Sequence, residues 1–188
     1  MILRTPRLTL RPWQPEDFEP YALMNADPAV RRFFPAVLTR EESDAEIATF
    51  QSRFAREGFG MLAAILSRPG PDQAPAFAGI IGLQTMPYAV PGLPQPAVEI
   101  GWRLPQKFWR QGLATEGATA VIEYAFNHLH FPSVVAVTTV SNTPSRRVME
   151  RLGMTYLPAL DFDHPRIAPG HPFRRHVLYQ LLAPKTAS

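Results

Sequence analysis

Residues 99–117 read EIGWRLPQKFWRQGLATEG and join a strand pattern to a helix pattern. Gly112 stands just before the helix, where the absence of a Cβ lets the backbone approach a ligand closely. The amides of Leu113, Ala114 and Thr115 follow as first-turn donors that have no partner inside the helix. Together with the helix dipole, these amides predict an anion site suited to a pyrophosphate.

This segment lacks two common phosphate-binding signatures. A Walker loop requires Gly-Lys-Ser/Thr, a dinucleotide fingerprint requires Gly-x-Gly-x-x-Gly, and neither occurs here. Arg110 can add a cationic contact at the rim of an anion site. Because a single glycine also precedes many ordinary helices, spacing alone leaves a phosphate site and a plain helix start as alternatives.

The patterning of the whole chain predicts one α+β domain over residues 1–188. The predicted order is β-α-α-β-β-β-α-β-α-β-β, which gives a mixed twisted sheet of about seven strands flanked by about four helices. Thr39 and Glu42 form a capping-box pattern at the start of one helix. Thr143 is the expected N-cap of the last helix, and residues 154–160 are expected to form a strand.

The composition restricts the available chemistry. No cysteine occurs among the 188 residues, which excludes disulfides, thiolate metal ligands and a cysteine nucleophile. No apolar run reaches the ~18 residues of a membrane span, and the first residues lack a signal-peptide core, so a soluble cytoplasmic protein is expected. The net charge of +3 comes with cations that occur singly or in pairs. This distribution favours an ordinary arginine-rich surface, and of the two anionic partners it fits a phosphate-bearing ligand better than nucleic acid.

Three separated blocks carry a family resemblance. The segment 99–117, followed by SNTPSRRVMERLGM at 141–154, resembles the acetyl-CoA-binding core of the GNAT acyltransferase superfamily. The opening LRTPRLTLRPWQPEDFEPYALMNADP at 3–28 is similar to the branch that contains the ribosomal-protein N-terminal alanine acetyltransferases, the RimJ/RimL type. The likeness covers nearly the whole chain. It implies a GNAT domain that uses acetyl-CoA as co-substrate and needs no metal.

The resemblance also implies the coenzyme contacts. The family's Q/R-x-x-G-x-G/A loop falls on residues 109–114, although Trp109 departs from the general signature in a way common to this branch. The loop amides would hold the pyrophosphate; they belong to Arg110, Gln111, Gly112, Leu113, Ala114 and Thr115. Strand backbone groups would pair with the pantetheine arm; they belong to Trp102, Arg103 and Leu104. Asn142 matches an asparagine that contacts the same arm.

The implied reaction moves an acetyl group to a primary amine by direct attack in a ternary complex. An acyl-cysteine intermediate is impossible in this chain, whereas an acyl-serine stays open. Glu99 is the candidate base, because its apolar strand neighbours would desolvate it and raise its pKa; the alternative is a carboxylate paired with Arg103. Met149 stands where many relatives have a tyrosine acid. The RimJ/RimL-type branch instead carries a serine three residues after the asparagine, so the resemblance implies that Ser145 is the donor to the leaving thiolate, or else a coenzyme contact.

Other functions remain as alternatives at this stage. A non-catalytic acyl-CoA sensor would keep the loop but lack turnover. A nucleic-acid-binding module is disfavoured by the missing basic stripe. The amine acceptor, a protein N-terminus or a small molecule, would enter a pocket built from loops 28–40, 87–96 and 161–173. A homodimer is compatible with this interpretation.

Overall fold

The computed structural model describes residues 1–67 and 75–184. The helices are α1 (Phe18–Ala26), α2 (Pro28–Arg31), α3 (Arg40–Glu57), α4 (Leu113–Asn127) and α5 (Thr143–Arg151). The strands are β1 (Leu3–Arg4), β2 (Leu8–Arg11), β3 (Met61–Leu66), β4 (Ala76–Thr85), β5 (Val98–Arg103), β6 (Ser133–Thr139), β7 (Thr155–Tyr156), β8 (Phe162–Asp163) and β9 (Arg175–Leu182).

The strands form one sheet in the order β1-β2-β3-β4-β5-β6-β9-β7, and β8 also pairs with β9. Every neighbouring pair is antiparallel except β5 and β6, which are parallel. The α+β class and the mixed sheet are therefore confirmed. The described part of the chain has nine strands and five helices, more than expected from the sequence, because β1, β7 and β8 are two-residue strands and α2 is a single turn.

The two faces of the sheet bury separate sets of side chains. On one face, α4 packs its apolar stripe and α5 packs Met149 against β2 to β6. Gly117 lets α4 lie close to the sheet, since a Cβ there would stand 2.4 Å from the Ile81 Cδ1 atom. On the other face, residues of α1, α2 and α3 surround Trp13 above β3 and β4. A third cluster covers this second face beyond β5, where Phe162 and loop residues 86–97 pack on β6 and β9.

Two details of the predicted helices and strands differ from the structure. Asn142, not Thr143, is the N-cap of α5, and its Oδ1 accepts a hydrogen bond from the Ser145 amide at 3.3 Å. The expected strand at 154–160 pairs only at β7, because a 3₁₀ turn begins at Pro158, which has no amide hydrogen to offer a sheet.

The predicted capping box at the start of α3 is confirmed. The Thr39 hydroxyl accepts from the Glu42 amide at 3.2 Å, and the Glu42 carboxylate accepts from the Thr39 amide at 2.8 Å. Among the described residues, no helix has the length and apolarity needed to cross a membrane.

Candidate active site

The loop that precedes α4 has a left-handed backbone at two residues. Arg110 has φ +59° and Gly112 has φ +77°. The first backbone bond of α4 runs from the Glu116 amide to the Gly112 carbonyl at 2.9 Å, so the amides of residues 113–115 lie ahead of it at the helix end. Leu113 is 1% exposed and anchors this end in the core. The result is a set of backbone donors at a helix N-terminus, next to an exposed arginine.

Strand β5 presents an open edge beside this loop. It pairs with β4 along its whole length but with β6 only at Glu99 and Val135. The ladder with β6 has no further register pair, which leaves the edge at Trp102 to Leu104 outside it. The Leu104 carbonyl accepts from the Trp109 indole at 2.8 Å and so already has a partner. An extended ligand chain could pair with the remaining groups of this edge, as a further strand would.

Asn142 and Ser145 stand at the carboxyl end of β6, next to the same opening. Besides capping α5, the Asn142 side chain donates through Nδ2 to the Thr138 hydroxyl at 2.9 Å. Its two polar atoms therefore tie α5 to β6. Ser145 lies in the first turn of α5 and is partly exposed.

Glu99 faces the side of the sheet that carries α1 to α3. Its Oε2 accepts a hydrogen bond from Gln84 Nε2 at 2.9 Å, and Gln84 Oε1 accepts from Arg53 Nη1 at 3.2 Å. Burial raises the pKa of Glu99 to about 7, against the opposing influence of the Gln84 hydrogen bond and the Arg53 charge. Tyr88 also lies near this carboxylate, and burial together with the Glu99 charge raises the pKa of its phenol.

The expected alternative, a Glu99–Arg103 pair, is wrong. The two residues share a face of β5, as strand alternation requires. Arg103 points under α1 and α3, where its Nη1 donates to Asn25 Oδ1 at 2.7 Å and to Glu46 Oε2 at 3.3 Å. The Arg103 side chain is 13% exposed, and Glu46 is its carboxylate partner. Glu99 therefore stands in the site without an ion-pair partner among the described residues.

Two aromatic contacts connect the three loops expected to form an acceptor pocket, and one of them includes Tyr88, the neighbour of Glu99. The rings of Phe33 and Phe173 are 6.3 Å apart, and those of Tyr88 and His164 are 4.8 Å apart. These contacts join the loop after α2 and the loop after β4 to the segment that includes β8. Burial lowers the pKa of His164 to about 4, with smaller contributions from the charges of His176 and Arg166. Within the described ranges, no group of three or more His, Asp or Glu side chains could hold a metal ion.

No sequence pattern identified Gln84, Arg53 and Tyr88 as neighbours of Glu99. A signal existed for Arg53, which follows the buried Phe50 by three positions and so borders the inward face of α3. The position of Gln84 opposite Glu99 depends on strand register, which the apolar runs did not specify. Tyr88 lies in a proline-rich loop whose path no local pattern predicts.

These features define a domain with backbone donors for an anionic group on one side of an open strand edge and a partly buried carboxylate near that edge. The family model described as "Acetyltransferase (GNAT) domain" matches residues 7–155. The protein therefore belongs to the GNAT acetyltransferase family.

Individual relatives agree with this family. The chain is 42% identical over 59 residues to the FsC-acetyl coenzyme A-N(2)-transacetylase of Aspergillus fumigatus, a match of 31% of this chain and 25% of that protein. It is 38% identical over 56 residues to the uncharacterized N-acetyltransferase YnaD of Bacillus subtilis, a match of 30% of this chain and 33% of that protein. These curated relatives are thus matched over a third of their length or less.

Solved structures match over almost the whole chain. An acetyltransferase from Agrobacterium tumefaciens superposes with a TM-score of 0.75 at 26% identity, covering 96% of this chain and 94% of that one. RimL, a ribosomal L7/L12 α-N-protein acetyltransferase solved in complex with coenzyme A, gives a TM-score of 0.75 at 16% identity, covering 97% and 98%. At that identity the second likeness concerns the fold.

Proposed function

We propose that this protein is an N-acetyltransferase that moves the acetyl group of acetyl-CoA directly to a primary amine in a ternary complex. The observation that carries the proposal is Glu99, a carboxylate with a pKa raised to about 7 beside an open strand edge in a GNAT domain. In the proposed complex the coenzyme pyrophosphate lies on the amides of residues 110–115. Its pantetheine arm follows β5, and the amine enters between the three loops from the side of Glu99.

The proposed chemical step begins with the removal of a proton from the acceptor. Glu99 takes a proton from the bound ammonium, the neutral nitrogen attacks the thioester carbonyl, and a tetrahedral oxyanion forms. The C–S bond then breaks, the nitrogen loses its second proton as the amide forms, and the thiolate leaves and is protonated. Ser145 is the proposed donor to the thiolate, its hydroxyl regaining a proton from the nitrogen, since this partly exposed side chain lies in the first turn of α5, beside Asn142. The chain supplies no thiol for an acyl-enzyme intermediate.

The finer identity of the enzyme is also a proposal. The opening 3–28 and the block 141–154 support the RimJ/RimL-like branch, for which a protein N-terminal amine is the natural acceptor, with a small-molecule amine as the other candidate. Residues 1–188 would act as one domain, and a homodimer is compatible with the site because Glu99 and the coenzyme loop belong to one chain.

Thiol release from acetyl-CoA tests the proposed reaction. The purified protein is incubated with acetyl-CoA and, separately, with free amino acids, a polyamine and short peptides that have a free N-terminus. We expect one of these amine classes to accelerate thiol release and a peptide with an acetylated N-terminus to have no effect. Tight coenzyme binding without acceleration by any amine would instead support the sensor alternative.

The pH profile of the reaction depends on Glu99 and its neighbour Gln84. Because the base must be ionised and its pKa is about 7, we expect kcat/KM to rise with pH and to level off above about 7. The Gln84→Leu variant removes the hydrogen bond that stabilises the carboxylate. The acid limb, which is the rising part of the pH profile, should move to higher pH by about one unit in this variant. Such a hydrogen bond contributes about 1.5 kcal/mol, and one pKa unit corresponds to about 1.4 kcal/mol.

The matched control for this experiment is Gln51→Leu, the same change at an exposed glutamine on α3. Its pH profile should coincide with that of the wild type. An acid limb that stays in place in Gln84→Leu would contradict the assignment of that limb to a Glu99 carboxylate stabilised by Gln84.

A further inference from the structure

The N-terminal hairpin, formed by β1 and β2 (residues 3–11), is held against the start of α4 by hydrogen bonds to Glu116. The Arg7 amide donates to Glu116 Oε1 at 2.9 Å, and Arg7 Nε donates to Oε2 at 2.6 Å. The Thr5 hydroxyl donates to Oε1 at 2.5 Å. Sequence periodicity places Glu116 on the polar face of α4, so these contacts across more than a hundred residues were not expected.

Arg7 also contacts the coenzyme loop itself. Its Nη1 donates to the Gln111 carbonyl at 2.8 Å. Its Nη2 lies 2.6 Å from the Glu116 carboxylate and 3.5 Å from the position that a Cβ on Gly112 would take. The guanidinium thus lies against the last residues before the helix and fixes the direction of one of their carbonyls.

The charge of Glu116 explains why this contact matters. Glu116 follows directly after the amides of residues 113–115, and an unpaired carboxylate there would repel a pyrophosphate bound at the helix end. Burial acts to raise the pKa of Glu116, but the hydrogen bonds from Thr5 and Arg7 outweigh it and hold that pKa below its ordinary value. Glu116 is therefore charged at neutral pH, and Arg7 supplies the compensating positive charge.

We propose that Arg7 is a positioning residue of the coenzyme site, which neutralises Glu116 and holds the Gln111 carbonyl so that the loop can accept a pyrophosphate. This inference rests on the proposed coenzyme site and extends it to the N-terminal hairpin. Arg7 is therefore expected to affect the affinity for coenzyme and to leave the rate of the chemical step unchanged.

Coenzyme binding by three variants tests the inference. In Arg7→Met, the dissociation constant of coenzyme A measured by calorimetry should rise about tenfold or more, since Glu116 is left unpaired. Glu116→Gln should stay within about threefold of the wild type. The double variant Arg7→Met/Glu116→Gln should recover most of the lost affinity, because it removes the repulsion together with its compensation. A double variant as weak as Arg7→Met would overturn the charge argument.

Kinetics with two donors separate this role from a general loss of structure. With acetyl-CoA, Arg7→Met should raise KM and leave kcat at saturation within twofold; with S-acetylpantetheine, which lacks the pyrophosphate, kcat/KM should match the wild type. Arg11→Met is the matched control, since it breaks a comparable ion pair with Asp17 in the same segment. It should lower Tm without changing the coenzyme dissociation constant.

Two results would reject the inference in distinguishable ways. An unchanged dissociation constant in Arg7→Met, alongside normal binding by the wild type, would overturn the role of Arg7 alone. Absence of coenzyme binding by the wild-type protein would overturn the proposed coenzyme site and the inference with it. If Arg7→Met does not fold, the test uses Arg7→Lys instead. Lysine keeps the positive charge but lacks the several N–H donors of the guanidinium, so the coenzyme A dissociation constant should lie between the wild-type value and a value about tenfold higher.

Discussion

Replacing Glu99 by glutamine is expected to lower kcat about 10²- to 10⁴-fold, the contribution typical of a positioned general base. Glutamine has nearly the same size and can still hydrogen bond to Gln84, so the site should keep its shape. It cannot take a proton from an ammonium. The dissociation constant of coenzyme A, measured by calorimetry, should stay within twofold of the wild type, because Glu99 lies away from the pyrophosphate loop.

A matched control is available on the neighbouring helix. Glu57 is the last residue of α3, and its carboxylate accepts a hydrogen bond from the Thr85 hydroxyl at 2.8 Å. Thr85 follows Gln84 directly in β4. Glu57→Gln makes the same chemical change close to the site and should leave kcat within twofold. A Glu99→Gln variant with the full wild-type rate would show that another group, or bulk solvent, removes the proton.

The pH dependence adds an independent check on this assignment. The acid limb expected for the wild-type protein near pH 7 should disappear in Glu99→Gln, leaving a small residual rate that no longer depends on this carboxyl group. If the limb persists at the same pH in the variant, it belongs to another group. His164, with a pKa lowered to about 4, would give a limb well below this range.

Much of this fold could be predicted because its signals are local. The capping box at Thr39 and Glu42 and the glycine before α4 each depend on residues within a few positions of one another. The loop proposed to bind coenzyme has local signals as well, since the start of α4 and its preceding glycine are adjacent in the sequence. Predictions that depended on one residue's exact place were less accurate, as the shift of the α5 cap from Thr143 to Asn142 illustrates.

What could not be predicted depends on how distant segments meet. Strand alternation correctly put Glu99 and Arg103 on one face, but it could not show that α1 and α3 supply the partners of Arg103. The helical pattern of α4 likewise put Glu116 on a polar face without revealing that the N-terminal hairpin covers it. In both cases the side chain forms an ion pair with a distant segment, where the sequence pattern alone suggests contact with solvent. The stability that such a pair contributes depends on its burial, which a local pattern does not specify.

Arg103 illustrates this most clearly, and its replacement by methionine is expected to lower the free energy of unfolding by about 3 kcal/mol. Methionine fills much of the same volume but donates no hydrogen bond. Asn25 and Tyr21, both 0% exposed, would lose the Arg103 guanidinium as a hydrogen-bond donor, and Glu46 would lose its cation. A buried polar group left without its partner costs more than the intact interaction contributes, which is why the loss should be large.

Urea unfolding followed by circular dichroism measures this effect, with Arg40→Met as the matched control. Arg40 pairs with Asp44 at 2.9 Å, but its side chain is 46% exposed, so its removal should cost much less stability than the removal of Arg103. If the two variants lost equal stability, the Arg103 network would be no more than another surface ion pair. A large loss confined to Arg103→Met would instead show that this side chain fastens α1 and α3 to β5. The position of loop 28–40, which lies between these helices and is proposed to line the acceptor pocket, would then depend on Arg103.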